Sequence, residues 1–350
     1  MADGDRRAAP GIDPEGVGRW WKEHTAAVDL PLQFSRIEGG LSNLTYDVVD
    51  QRGRRWVLRR PPLHGVIPSA HDMGREHRIM AALAGSPVPV PPVVGHEPDA
   101  QVTGAEFYVM DFVDGPVYRS AAQVEAETVP VERRTISRSL VDALAVLHEV
   151  DPDEVGLGDL GRREAWCARQ LRRWRRQYEH SVDELDPVFE EVHQRLGADV
   201  PEQQGAGIVH GDYRLDNVIC TQEGDVAAVV DWELCTVGDP LGDLGILCAY
   251  WADPGDEVHS LPQAATHLPG FLTRAELIDR YAERSGRDLN DVAFYLALAY
   301  WRLAAILQGV HARFSSGAYG NDASADTASM PQRIEHLIRM ALIETQRSGR

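Results

Sequence analysis

Hydrophobic residues follow two rhythms along the chain. Up to about residue 113 they alternate with polar ones in short runs. Gln33 to Glu38 reads as a first strand, Leu44 to Asp50 as a second and Arg55 to Arg60 as a third, with Gln51-Arg52-Gly53 as the hairpin turn between the last two. The Pro-interrupted run Val88 to Val94 leads into another strand, and Glu106 to Gly115 reads as a buried strand ending in a turn. Two helices interrupt this pattern. Residues 16–28 carry Val17, Trp20, Trp21 and His24 on an amphipathic face, and Ala70 to Leu83 places Met73, His77, Met80 and Ala81 at helical spacing. Residues 1–15, polar with Gly and Pro, are expected to be flexible.

From about residue 116 the spacing is helical. Val131 to Val150 aligns Ile136, Leu140, Leu144 and Leu147 in one stripe with His148 beside it. Arg162 to His180 is apolar at Trp166, Leu171, Trp174 and Tyr178 and basic at Arg169, Arg172, Arg173, Arg175 and Arg176. That basic run is either a solvated face or a site for an anionic substrate. Thr273-Arg274-Ala275-Glu276 is a capping box for a helix ending near Gly286, and Asn290 is expected to cap a long helix to about Arg313. Within that helix Tyr295, Arg302 and Gln308 either have local partners or face a substrate cleft. Residues 315–329 read as a mobile loop, and Pro331 starts a final amphipathic helix.

The chemistry concentrates in residues 208–233. Asp212 follows His210 by two positions, Asn217 follows Asp212 by five, and Asp231 closes the apolar strand Val226 to Val230 after the turn Glu223-Gly224-Asp225. This is the order of a kinase-type catalytic loop followed by a metal-binding Asp. Phosphoryl transfer uses one carboxylate to orient the attacking hydroxyl. It uses a second carboxylate and an amide oxygen to hold magnesium, which prefers hard oxygen ligands. Asp212 is thus the hydroxyl-orienting candidate, and Asn217 and Asp231 are the metal candidates. Arg214 either neutralises the transferred group or pairs with a nearby carboxylate.

The His210-Gly211-Asp212 to Asn217 loop and the Asp231-Trp232-Glu233 motif resemble the aminoglycoside phosphotransferase family, the small-molecule branch of the protein-kinase-like fold. Gly238-Asp239-Pro240-Leu241-Gly242-Asp243-Leu244 resembles in particular the kinase-like domains of acyl-CoA dehydrogenases 10 and 11. The resemblance runs from about residue 33 to about 345. It implies an α+β, bilobal fold with a small antiparallel β-rich lobe over residues 1–113 and a larger, mainly helical catalytic lobe over residues 114–350. It implies nucleotide contacts at Gly39, Gly40, Ser42 and Asn43, in a turn able to approach phosphates, although these residues lack the Gly-x-Gly-x-x-Gly spacing. It places Arg59 where the family has a strand lysine, as a clamp on the phosphates, with Glu76 as its helix partner. Arg60 and a solvent-exposed Glu76 are the alternatives there. Strand alternation groups Arg59 with Val57 and favours it over Arg60. Met110, Asp111, Phe112 and Val113 fall where the family's main chain meets the nucleotide base. His210 is expected to orient the loop, and Asp239 and Asp243 to fix the backbone that follows.

Composition narrows the function further. The formal net charge of −19 argues against nucleic acid as the main partner, because a phosphate backbone demands a basic face. The charge itself fits either simple solubility or a taste for cationic substrates. Cys167, Cys220, Cys235 and Cys248 show no paired spacing, so disulfide and zinc frameworks are not expected. The first residues lack an apolar signal core, and the apolar run Val292 to Val310 contains Arg302 and Gln308, which marks a core helix rather than a membrane span. A cytoplasmic chain is expected. The leading reading is a magnesium-dependent phosphotransferase using ATP or GTP on a small-molecule hydroxyl, with a hydroxyacyl-CoA-type acceptor suggested by the subgroup. An aminoglycoside or macrolide acceptor is the alternative, and a nucleotide-binding pseudokinase is a third reading that Arg59, in place of lysine, keeps open. Oligomeric state is not readable.

Overall fold

The structure is a computed structural model that describes residues 9–24, 28–37, 43–63, 72–256, 265–316 and 328–348. The chain forms two compact units: residues 1–115 with 227–234, and residues 116–226 with 235–350. The segment 227–234, which carries Asp231, therefore belongs with the first unit. Division of the chain at residue 113 would leave it in the second.

The first unit opens with α1 (Pro14–His24), followed by β1 (Gln33–Arg36), β2 (Leu44–Val49), β3 (Arg55–Arg60), α2 (Met73–Leu83), β4 (Val93–Glu97) and β5 (Phe107–Asp111). The strands form one antiparallel sheet in the order β1-β2-β3-β5-β4. Alternation in β2 sends Leu44, Tyr46 and Val48 inward, where they join Trp20, Trp21, Trp56, Leu58, Phe107 and Val109 in a core. Trp21 meets Trp56 edge-on at 5.1 Å, and Trp20 meets Phe107 at 4.9 Å. α2 starts at Met73 because the Asp72 carboxylate accepts from the Arg75 N–H at 2.8 Å and satisfies an orphan donor of the first turn. The first strand ends at Arg36, short of the Glu38 expected from its alternation.

The second unit contains α3 (Ala121–Glu127), α4 (Pro130–Glu149), α5 (Trp166–Glu179), α6 (Pro187–Ala198), β6 (Gly207–Val209), β7 (Val218–Cys220), the start of β8 (Val226–Val229), β9 (Thr236–Gly238), α7 (Leu241–Tyr250), α8 (Arg274–Ser285), α9 (Val292–Ser315) and α10 (Met330–Ser348). β6 pairs antiparallel with β9, which frames the loop that begins at His210. α9 is long and apolar enough to cross a membrane by those criteria alone. Most of it is buried, against α5, α7 and α10. Trp301 of α9 stacks on Phe189 at 4.6 Å, and Phe189 on Tyr178 at 3.7 Å.

The capping box at α8 is present. Thr273 Oγ1 accepts from the Glu276 N–H at 3.3 Å, Glu276 accepts from the Thr273 N–H at 2.8 Å, and Gly286 closes the helix at φ +64°. Asn290 does not cap α9. Asp291 holds the cap position, and the Asn290 amide donates to Asp288 at 3.1 Å. All four cysteines are buried thiols. Gly39, Gly40 and Ser42, with residues 1–8 and most of 315–329, lie outside the described residues.

Candidate active site

In the first unit, β-pairing places Arg59 between Thr45 and Tyr108. Its guanidinium reaches three carboxylates. Nη2 donates to Asp231 Oδ1 at 2.6 Å and lies 3.7 Å from Glu233 Oε2, while Nε lies 3.5 Å from Glu76 Oε2. Glu76 is buried at 2% exposure, which settles it as a helix residue turned inward rather than into solvent. It accepts from the Tyr108 hydroxyl at 3.0 Å and from Asn43 Nδ2 at 3.2 Å; the same Asn43 amide also reaches Glu233 at 3.3 Å.

Burial alone would lower the Arg59 pKa, but Glu76, the Tyr108 hydroxyl and Asp231 outweigh it and hold the pKa well above its ordinary value. Burial raises the Glu76 carboxyl; Arg59 opposes that rise without cancelling it, and Asp231 adds to it. Arg60 points elsewhere. Its guanidinium donates to the Gly11 carbonyl and, at 3.0 Å, to the Thr103 carbonyl, so it secures the chain ahead of α1 and does not join the carboxylates.

Asp231 adopts φ +68°, one of two non-glycine residues with positive φ among the described residues. Asp tolerates that region better than most side chains, at a cost of about 1–2 kcal/mol. Behind it, Trp232 is fully buried and donates Nε1–H to the Val229 carbonyl at 3.0 Å. At the end of β5, Met110 lies in the sheet, the Asp111 N–H donates to Pro92 O at 2.8 Å and the Phe112 N–H to Arg55 O at 3.4 Å. The Arg55 guanidinium covers the Phe112 ring at 3.4 Å. The Asp111 and Phe112 N–H groups are therefore used within the unit, and Val113 lies just beyond the strand.

The second unit holds the catalytic-type loop. Asp243, fully buried on α7, accepts from the His210 N–H at 2.6 Å and from the Gly211 N–H at 2.8 Å. Its carboxylate also lies 3.4 Å from His148, which bonds the Tyr281 hydroxyl at 2.7 Å. Burial lowers the His148 pKa although Asp243 pulls it upward. From α9, Arg302 Nη2 donates to the Gly211 carbonyl at 2.6 Å. Gly211 itself sits at φ +86°, a conformation that glycine adopts without a Cβ penalty. Inside the loop, the Asp212 N–H donates to His210 Nδ1 at 3.3 Å, and the Tyr213 hydroxyl anchors on the Leu140 carbonyl at 2.8 Å.

Asp212 is presented on this scaffold. Its Oδ2 accepts from Asn217 Nδ2 at 3.0 Å and Arg214 Nε at 3.1 Å, and the same Asn217 amide bonds the Asp212 carbonyl at 2.8 Å. Asp212 Oδ1 makes no hydrogen bond among the described residues. Arg214 bridges Asp212 and Asp216, the latter at 3.0 Å, and stacks over the Tyr250 ring at 4.9 Å. Of the two expectations for Arg214, the local ion pair is the one formed in this structure.

The other polar core residues also have partners. Tyr295 donates to Asp239 at 2.6 Å, Asp239 accepts from the Leu241 N–H at 3.1 Å, and Gln308 donates to the Ser181 carbonyl at 3.1 Å. Glu233, Tyr108 and His148 carry contacts that sequence reasoning assigned to no functional role. Glu233 was visible in the Asp-Trp-Glu motif; the other two depend on partners distant in sequence.

The donor types are those magnesium takes: Asp231 in the first unit offers a carboxylate and Asn217 in the second an amide oxygen, both hard. Among the described residues no cluster of three His, Cys, Asp or Glu forms a ready-made cage. Magnesium is commonly held by one or two carboxylates with water and substrate phosphates rather than by such a cage.

Comparison with known proteins places this arrangement. The family model described as "Phosphotransferase enzyme family" matches residues 33–295. The chain is 33% identical over 316 residues to acyl-CoA dehydrogenase family member 10 of Mus musculus, with 88% of this chain and 29% of that protein covered. It spans less than half the length of the curated relatives it matches. Among solved structures, a crystal structure from Ralstonia eutropha JMP134 assigned to the aminoglycoside phosphotransferases superposes with a TM-score of 0.80 at 33% identity, over 96% of this chain and 98% of that one. An aminoglycoside phosphotransferase in ternary complex with ADP and hygromycin B superposes with a TM-score of 0.60 at 16% identity, over 93% and 98% of the two chains, and shares the fold. The five-stranded antiparallel sheet, the helical second unit and the loop on Asp212 are thus the mixed α+β, kinase-like architecture of these enzymes, and the chain belongs to the phosphotransferase enzyme family.

Proposed function

We propose that the chain is a magnesium-dependent phosphotransferase that moves the γ-phosphate of ATP or GTP to a hydroxyl of a small molecule. The observation that carries this reading is the presentation of Asp212, with one carboxylate oxygen held by Asn217 and Arg214 and the loop backbone held by Asp243 and Arg302. Asp212 orients the acceptor hydroxyl and takes its proton as the bond to phosphorus forms. Asn217 and Asp231 are the oxygens that would hold the metal. Bound magnesium would neutralise charge on the nucleotide phosphates. Arg59 would clamp those phosphates, a planar fork where the family has an ammonium. Arg214 would add positive charge beside the transferred group. Catalysis in this scheme is mostly positioning and charge neutralisation.

The acceptor favoured is a hydroxyacyl-CoA-type compound, supported by similarity to acyl-CoA dehydrogenase family members 10 and 11 over most of this chain. An aminoglycoside or macrolide is the second reading, supported by the neighbour solved with hygromycin B.

Calorimetric titration of ATP and GTP, with and without magnesium, on the wild type and Asp231→Asn tests the proposal. Magnesium-dependent binding that is lost in the variant is the expected result. Failure of both nucleotides to bind the wild type would leave a scaffold in place of an enzyme, whereas binding without transfer to any hydroxyl acceptor would leave a pseudokinase.

A further inference from the structure

Five arginines lie along α5, in a chain of net charge −19, and their surroundings sort them. Arg175 is paired with Glu190 at 2.9 Å and with Glu179 at 3.4 Å. Arg176 donates to the Arg172 carbonyl at 3.2 Å and Arg169 to the Arg162 carbonyl. Arg172 and Arg173 are both exposed and make no ion pair or side-chain hydrogen bond among the described residues, but only Arg173 sits on an aromatic ring, its guanidinium carbon 4.8 Å over Trp174.

The same indole carries a second guanidinium. Arg302 of α9 lies 4.9 Å over Trp174, is 7% exposed, and has a buried Nε without a hydrogen-bond partner. Trp174 is itself held, its Nε1–H donating to Gln170 at 2.9 Å. Burial lowers the Arg302 pKa; the positive charge of Arg173 adds to that, while Asp212, Tyr250 and Asp243 oppose it. Arg302 also donates to the carbonyl of Gly211, the residue before Asp212. Two like charges therefore contact one indole, and one of them, Arg302, also holds the catalytic loop through Gly211; each would gain from an anion.

We propose that Arg173, backed by Arg302 on the shared Trp174 ring, binds a carboxylate or phosphate carried by the hydroxyl-bearing acceptor, so that the acceptor class is anionic. This rests on the reading of Asp212 as the residue that receives the acceptor hydroxyl. A polycationic aminoglycoside would be repelled by the same pair.

The test is calorimetric binding of 3-hydroxybutyrate, 3-hydroxybutyryl-coenzyme A and hygromycin B to the full chain, in wild type, Arg173→Gln and Arg173→Lys, with magnesium-ATP binding measured in parallel. Arg173 is an exposed helix position and glutamine has a similar helix propensity, so the fold is expected to be retained. Arg173→Gln should weaken an anionic probe about tenfold or more, the size of a lost charge-assisted hydrogen bond, and Arg173→Lys should keep part of the affinity. Loss for the free acid identifies a carboxylate as the recognised group; loss for the thioester identifies phosphate. Equal affinity of both anionic probes for wild type and Arg173→Gln, no binding of either to the wild type, or tighter binding of hygromycin B than of both, overturns the proposal. In those cases intact magnesium-ATP binding confines the failure to the anion seat, whereas loss of nucleotide binding in the wild type removes the phosphotransferase reading itself.

Discussion

Arg59 in the first unit and Arg214 in the second each gather carboxylates, and they do so in different ways. Arg59 is buried on a sheet strand and meets Glu76 from a helix and Asp231 from a segment 172 residues further along the chain. Arg214 is partly exposed and bridges Asp212 and Asp216, each two residues away in its own loop. The first group is therefore a product of tertiary structure and stands where water screens little. The second is a local feature, stiffened from outside by Asp243 and Arg302. A pair on a buried guanidinium is costly to break, whereas one on a partly exposed guanidinium is softened by solvent. Under the proposed function, Arg59 joins structural support to the phosphate clamp, while Arg214 holds the carboxylate that would receive the acceptor hydroxyl.

The sharpest way to break that contrast is at Asp212. Asp212→Asn should lower kcat by about 10²–10⁴-fold, the range for loss of a general base, with nucleotide affinity nearly unchanged. Turnover at the wild-type rate would remove Asp212 from the chemistry.

Next in size is Arg59→Ala. It removes the cation between Glu76 and Asp231, so denaturant unfolding should show a loss of about 3–5 kcal/mol, together with weaker nucleotide binding. Arg59→Lys keeps the charge but not the fork that spans Glu76, Asp231 and Glu233, and should recover only part of the stability. Arg214→Ala should cost less stability than Arg59→Ala. If it costs more, the two groups have been assigned the wrong way round.

The smallest effect concerns Asp50, at the turn after β2. Burial works against its charge, but the Arg54 N–H, the Arg54 guanidinium and the N–H groups of Asp29 and Arg52 outweigh it, so its pKa is depressed. A depressed carboxylate stabilises above its unfolded-state pKa, and that contribution is lost as pH falls through the folded value. Asp50→Asn should cost about 1–2 kcal/mol at neutral pH, kept low because Arg54 is partly solvated. The difference from wild type should close below about pH 4, as thermal unfolding across a pH series would reveal. A gap that persists in acid would mean that shape, not charge, holds the turn.

Much of this molecule is legible without coordinates, and the legible parts share a cause. The hairpin at Gln51–Gly53, the capping box at Thr273–Glu276 and the spacing of His210, Asp212 and Asn217 all involve residues within a few positions of each other, whose partners are set by backbone geometry. Other features left a signal that periodicity does not expose. α7 is buried along nearly its whole length and has no polar stripe to betray a helical period. α6 is announced by Asp186 at its cap and Pro187 in its first turn.

What only the tertiary structure decided is which distant groups meet. The residue types at Arg59, Glu76 and Asp231 are written in the chain, yet their convergence depends on segment 227–234 returning to the first unit. Arg59 and Arg60 are adjacent and of the same type, and they separate because successive strand residues face opposite sides: one meets carboxylates, the other the carbonyls of Gly11 and Thr103. Arg302 reads as a polar residue in an apolar helix until its contacts with Trp174 and Gly211 are seen. Short-range order follows from local sterics and hydrogen bonding, which the sequence determines by itself. Long-range electrostatics requires the fold, because burial and the identity of the facing charge set its sign and its size.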